Sequence, residues 1–356
     1  MSSSLIQVLP VLVFLMAIAL VSEVCNLAGL FDVAGHGLLV LARRRAVLLW
    51  LGLVVLCVFT TVFLSLDTTA VLVAPVAIAM ARKAGRDPLP YAVTCVWLAN
   101  TASLLLPVSN LTNLLAVQHD STLHGSFAAH TWPVAMTAAV VTVVVLAAFW
   151  PGLVRGRYQL PTTRSAHDPV LLWTSGVVCG VLVVIFACDV QPAWPTVVAA
   201  VVLVAVLARR RPGAVRLLSV PWKMALVVFV LFALVVWAGP LFLDAWTAAA
   251  LGHGDGAADL ARVMGVGAFG GNAVNNLPAF LALHPGVQDS ADRLVALLVG
   301  VNAGAVVTPC GTLATLLWLW RCRAAGVEVR LGSHVARSLV LAVAVLGSCA
   351  AVLALV

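Results

Sequence analysis

Charge is what this sequence has least of: 9% of its 356 residues are Asp, Glu, Lys or Arg, against 63% apolar. A soluble chain of this length would carry about a quarter charged residues. Too little polar surface remains to cover a water-soluble globule, so lipid must act as solvent for a polytopic α-helical membrane protein. The eight cysteines (Cys25, Cys57, Cys95, Cys179, Cys188, Cys310, Cys322, Cys349) form no CxxC or CxxH spacing. Neither a disulfide framework nor a zinc site is indicated, and most read as small core residues. There is no HExxH, no Gly-rich phosphate loop and no nucleophile–base pair, which argues against an enzyme and against a cofactor. No basic segment precedes the apolar run at 5–21, and no clear cleavage site follows it, so a cleaved signal peptide is not expected. In a soluble protein the net charge of +7 would suggest nucleic acid. Here it reads as loop bias, and no nucleic-acid partner is expected.

Apolar stretches long enough to span, about 17–25 residues, fall at 5–28, 89–117, 131–150, 170–188, 194–208, 223–243, 292–320 and 334–355. Two further apolar regions, 46–82 and 260–284, carry polar clusters: Ser65-Leu66-Asp67-Thr68-Thr69 and Asn272-Ala273-Val274-Asn275-Asn276. The runs after those clusters, 68–81 and 277–284, reach about 21 Å and 12 Å as helix, short of the roughly 30 Å hydrocarbon core. Both regions are therefore expected to be re-entrant hairpins rather than paired spans. With the N-terminus outside, 18 of the 20 basic residues face the cytoplasm and only Arg262 and Arg293 lie outside, a strong positive-inside asymmetry. The segments 32–42 and 244–254 read as short interfacial helices.

Two spans are polar and proline-broken. Asn100-Thr101-Ala102-Ser103, with Pro107-Val108-Ser109-Asn110-Leu111-Thr112-Asn113, matches Asn302-Ala303-Gly304, with Thr308-Pro309-Cys310-Gly311-Thr312 and Thr315. A broken helix in lipid costs several kcal/mol per unpaired backbone group unless it lies in protein or lines a cavity. Paired breaks in two halves of one chain point to a transporter's central site. The repeat unit reads span, interfacial helix, hairpin, broken span, span. It occurs at 1–150 and, inverted, at 223–356. The loop and two scaffold helices of 151–222 lie between, and the first repeat is expected to lack their counterparts.

Asp67 is the one acid placed at a hairpin tip within the hydrocarbon, where charge costs at least about 2.5–3.5 kcal/mol. It is the expected ion-coupling residue, with capping of the helix that follows as the bland reading. The substrate-binding residues expected from the tips and breaks are Thr68, Thr69, Asn100, Thr101, Ser103, Ser109, Asn110, Asn113, Asn275, Asn276, Asn302, Thr308, Cys310, Thr312 and Thr315. Asn275-Asn276 before Leu277-Pro278 signals a helix start, whose free N–H groups suit oxygen-rich ligands. No Lys, Arg or His lies in the four segments, which favours a neutral solute such as As(OH)₃. Cys310 reads either as a soft ligand for trivalent arsenic or antimony or as a small residue permitting close helix approach. Glu23 is read as interfacial or as a secondary proton site. His119, His124 and His130 read as surface histidines, and no metal site is expected.

The stretch Phe63–Pro75, the two broken segments and Asn275-Asn276-Leu277-Pro278 resemble the arsenical pump membrane proteins, the ArsB-type arsenite permeases of the ion transporter superfamily. Divalent anion/sodium symporters and citrate carriers are related. The resemblance implies an inverted-repeat scaffold, a mobile transport domain with both hairpins, and elevator-type alternating access. It also implies export of arsenite and antimonite by proton antiport across the plasma membrane. The expected partners are a small-molecule substrate and the lipid bilayer, with a homodimer and a cytosolic ATPase as further candidates. The alternatives are a sodium- or proton-coupled transporter of small organic anions, and a degenerate scaffold or docking subunit.

Overall fold

Long apolar runs in lipid have to satisfy every backbone group internally, and here they do so as helices. The computed structural model describes residues 2–119, 127–158, 167–187, 193–218, 222, 225–226, 229–230, 249–288 and 290–355, and no strand occurs among them. Most of the expected span at 223–243 and residues 244–248 of the interfacial segment lie outside the described residues, as do His124, Arg164, Cys188 and Lys223.

Helix α1 (Ser2–Ala28) bends by 67° at Gly29 into α2 (Leu30–Leu41). A tight turn with positive φ at Arg43 and Arg44 leads into α3 (Ala46–Phe63). After a break at Leu64 and Ser65, helix resumes as α4 (Leu66–Thr68), passes through a π turn (Thr69–Val73) and continues as α5 (Ala74–Lys83). Then follow α6 (Pro88–Thr101), α7 (Leu111–His119), α8 (Phe127–Phe149), α9 (Pro169–Ala187) and α10 (Ala193–Arg210). The second half contributes α11 (Ala257–Val274), α12 (Asn276–Leu283), α13 (Ala291–Asn302), α14 (Leu313–Ala324) and α15 (Leu331–Leu353). Among the described residues α3, α8, α10 and α15 are each long and apolar enough to cross a membrane, and the bent α1–α2 pair is a fifth candidate. Among the described residues the regular structure is all helical, as in a polytopic membrane protein.

Both ends of the 46–83 segment come back to one loop. Ala46 N–H donates to Gly156 O at 3.1 Å, and the Arg86 guanidinium reaches the carbonyls of Gly152, Arg155 and Arg157 at 3.1–3.3 Å. The return leg is helical from Leu66 to Lys83, about 27 Å at 1.5 Å per residue. It is therefore longer than the 68–81 run that the sequence suggests, because helix starts at Leu66, inside the polar cluster, and runs on to Lys83. In the second half the legs are unequal: α11 has 18 residues and α12 only 8. Arg293, fully buried, gathers Gly252 O (2.6 Å), Gly254 O (2.7 Å) and Gly286 O (3.1 Å), so both ends of this segment meet at the start of α13.

Arg82 donates to Ala325 O at 2.5 Å, joining the first hairpin to the end of α14. Asp168 accepts from the N–H groups of Val170 and Leu171 and pairs with Arg210 at 3.1 Å. The Leu171 N–H, with Arg210 beside it, holds this carboxyl below its ordinary range. The tryptophans divide as their amphipathic rings suggest. Trp50, Trp97 and Trp318 are buried in helix contacts, while Trp132, Trp173 and Trp194 face outward.

Candidate functional site

The two breaks meet through one amide. Asn302, at the end of α13 and fully buried, accepts at Oδ1 from Asn110 Nδ2 (2.9 Å), Thr112 Oγ1 (2.9 Å) and Asn276 Nδ2 (3.4 Å). Its Nδ2 donates to Asn113 Oδ1 at 3.1 Å. One side chain thus ties the first break, the second break and the second hairpin tip, using both amide ends as a donor–acceptor group permits.

Around this hub the freed backbone groups are taken up by short polar side chains. Asn113 Nδ2 donates to Ser103 O (2.6 Å) and Leu106 O (3.2 Å), and Ser109 Oγ to Ser103 O (2.6 Å). The second break is braced by Asn272. Its Oδ1 accepts the Thr308 N–H (2.8 Å), its Nδ2 donates to Gly304 O (2.8 Å), and its carbonyl accepts Thr308 Oγ1 (2.7 Å). Gly311 is required here: a Cβ would fall within the van der Waals radius of Ala305 O. Cys310 enters through its carbonyl, which accepts Asn275 Nδ2 at 3.0 Å.

Asn275 has φ 86° and ψ 149°, a region open mainly to glycine and costing about 1–3 kcal/mol for other residues. The site over-determines it. Its Oδ1 caps α12 through the Leu277 N–H (3.4 Å), its Nδ2 holds Cys310 O, and the next N–H, of Asn276, donates to Gly311 O at 2.8 Å.

At the first tip the helix cap is Ser65, whose Oγ accepts the Thr68 N–H at 3.1 Å. This corrects the bland reading of Asp67 as a cap. Asp67 sits one residue inside the helix, half-buried, and its Oδ1 is buried without a hydrogen-bond partner. Thr68 Oγ1 bonds Ser65 Oγ (2.9 Å), and Thr69 Oγ1 is shared with Thr60 and Thr61 across the hairpin (2.8 Å each). The first tip packs on α14, and α12 of the second hairpin packs on α7, so each tip meets the helix following the other half's break.

The remaining candidates divide between opening and scaffolding. Asn100 donates to Val96 O at 2.7 Å and leaves Oδ1 buried without a partner. Thr101 faces α8, accepting from Thr142 Oγ1 at 2.8 Å. Thr312 and Thr315 form the start of α14, with Thr315 N–H on Thr312 Oγ1 at 3.2 Å. Thr112, Asn272 and Ser65 carry contacts that the sequence reading did not assign to them. Thr112 lay between two chosen asparagines, and Asn272 opened the second polar cluster.

Arg321 was counted among cytoplasmic loop cations, but it is 3% exposed on the last turn of α14. It pairs with Glu23 at 2.6 Å and donates to Ser22 Oγ, whose hydroxyl donates to Val71 O at 2.9 Å. This ion pair clasps α1 to α14 and to the return leg of the first hairpin. A double-mutant cycle of Glu23→Gln and Arg321→Gln, read by thermal unfolding, is expected to show coupling of about 0.5–3 kcal/mol. Additive effects would mean that the pair contributes nothing beyond its separate side chains.

Residues 5–311 match the family model described as "Citrate transporter" (CitMHS). The chain is 26% identical over 326 residues to the arsenical pump membrane proteins of Escherichia coli K12 and Shigella flexneri, covering 85% of this chain and 76% of each relative. A further Escherichia coli protein of that description is 25% identical over 362 residues, covering 95% of this chain and 84% of the relative. A polytopic helical chain with a polar hub at two helix breaks agrees with these matches: it belongs to the CitMHS citrate transporter family and is a multi-pass membrane transporter of the arsenical-pump and citrate-transporter type.

Proposed function

We propose that this chain is a secondary transporter that exports arsenite and antimonite as neutral trihydroxides in exchange for protons. The observation that carries this reading is the uncharged hub of Asn302, Asn110, Thr112, Asn113 and Asn276. Amides and hydroxyls both donate and accept, so they match a polyhydroxyl solute without demanding a counter-charge. The naming of relatives at 25–26% identity as arsenical pumps favours the same solute. Asp67 is the proton carrier in this scheme. The substrate contacts come from hub groups together with Asn100 Oδ1, Thr68 and Cys310.

The two halves act as inverted repeats, and the hairpins with the broken helices move as one unit against α1, α8, α9, α10 and α15 in an elevator-type cycle. The meeting of each tip with the other half's break supports this division. The transporter sits in the plasma membrane, as a homodimer, alone or with a cytosolic ATPase.

Small organic anions are the second reading. Four helices begin at the site, after Ser65, Asn110, Asn275 and Thr312. Their free N–H groups and positive dipole ends suit carboxylates, and the matching family model is described as a citrate transporter. Arsenite accumulation in an efflux-deficient bacterium separates the two. Cells expressing the chain should hold several-fold less arsenite than empty-vector cells. Equal accumulation at good membrane expression, with uptake of a dicarboxylate or citrate, would replace arsenite by the anion.

A further inference from the structure

A cavity with a volume of about 540 Å³ lies apart from the hub, at the start of α15. It is walled by the start of α6, Trp150 at the end of α8, the segment leading into α15, and the first two turns of α15. Its volume is that of a small-molecule site.

Two donor sets face it, and a buried histidine lies in its wall. The start of α15 has no side-chain cap at Arg330, which leaves the first helix N–H groups for an anion. Ser333 lies in that turn, and Arg337 one turn on holds its guanidinium 4.9 Å over the Trp150 ring. That stacking fixes the guanidinium plane while its N–H edges remain for a ligand. His334 also lines the cavity, is only 6% exposed, and has a buried Nε2 without a partner. The floor is Trp97, fully buried and fixed by its Nε1–H to Ser338 Oγ at 2.9 Å.

Acids balance these donors. Asp87 and Glu328 line the same cavity as Arg330 and Arg337, so the lining carries two charges of each sign. A simple polyanion would meet both carboxylates. A ligand with an oxyanion and an amine meets each sign with its opposite, and phosphate takes best advantage of a helix start beside arginine. We propose that this cavity binds a phosphoethanolamine group, with phosphate at the start of α15 beside Arg337 and amine toward Asp87 and Glu328. The same chemistry occurs as a lipid headgroup and as a free phosphate ester. The outward apolar residues of the two helices that contribute to the wall, Val140 and Val144 on α8 and Leu339, Val340 and Val343 on α15, suit acyl chains.

The test uses the purified full-length chain in detergent. Binding of short-chain phosphatidylethanolamine, soluble phosphoethanolamine and short-chain phosphatidylglycerol is measured by thermal shift and titration. The ethanolamine lipid should bind, and Arg337→Gln should weaken it about tenfold or more, a charge-assisted contact being lost. Arg323→Gln, exposed and outside the cavity, should leave binding unchanged. Binding of the soluble ester as well would identify a free phosphate ester as a source, and binding of the lipid alone the bilayer. The proposal is overturned if neither ethanolamine compound binds, if phosphatidylglycerol binds as tightly, or if Arg337→Gln binds like wild type. Should Arg337→Gln fail to fold, Ser333→Asp places a carboxylate at the phosphate position and must abolish binding on its own.

Discussion

Asp67→Asn is expected to abolish proton-driven export while leaving expression and membrane insertion intact. Asparagine keeps the volume and one carbonyl oxygen of the carboxyl but can no longer bind and release a proton. The local fold does not depend on the lost oxygen. Ser65, not Asp67, caps the helix, and Asp67 Oδ1 has no hydrogen-bond partner to lose. The proposed topology puts this acid in hydrocarbon, where a buried Oδ1 without a partner costs free energy that a purely structural role would not explain. In everted vesicles the wild type should accumulate arsenite when a pH gradient is imposed, and the variant should show at least about a tenfold lower gradient-dependent rate. Retention of the wild-type pH dependence would remove Asp67 from the coupling step, whatever the substrate is. Arsenite exchange without a gradient separates the two effects, since a variant defective only in coupling should still exchange.

Much of the architecture was legible because lipid leaves few options. Spans of apolar residues had to be helices, and the described ones begin and end within a few residues of the stretches read from hydropathy. The breaks after Thr101 and Asn302 were legible as polar interruptions that hydrocarbon would not tolerate unaided. Lengths around the first tip were less so. Asp67-Thr68-Thr69 looked like a helix start, but Ser65 takes the cap and the helix begins two residues earlier, at Leu66. Capping is decided by which oxygen reaches the free N–H, a matter of backbone geometry that composition does not encode.

Long-range pairing was hidden for a different reason. Nothing local in Arg321 distinguishes it from Arg323 two residues later. One is buried against Glu23 nearly 300 residues away, and the other is exposed. The side of α14 that meets α1 is set by tertiary packing alone. Likewise Thr112 and Asn272 carry hub and brace contacts, while Thr101, equally polar, is spent on Thr142 of α8. Choosing among neighbouring polar residues requires knowing which face of a broken helix turns inward, and the break itself resets that phase.

The hub gives the second large effect. Asn302→Ala is expected to eliminate transport and to destabilise the protein, because one deletion strands three buried groups and weakens a fourth. Thr112 Oγ1 and Asn276 Nδ2 lose their acceptor, Asn113 Oδ1 loses its donor, and Asn110 Nδ2 keeps only a long contact of 3.5 Å to Ser103 Oγ. Each unsatisfied buried polar group costs about 1–3 kcal/mol. Even with repacking, the total is several kcal/mol. Asn276→Ala removes one donor at a longer distance of 3.4 Å and should cost no more than a single such bond. Asn302→Asp tests the geometry further, since it keeps an acceptor for the three donors and replaces the Nδ2–H that faces Asn113 Oδ1. A charged carboxylate there would oppose that oxygen, so this variant should fall between wild type and Asn302→Ala in thermal stability. If Asn302→Ala unfolds at the wild-type temperature, the amide does not hold the two breaks together. If it is also transport-competent, the binding site must lie elsewhere in the bundle.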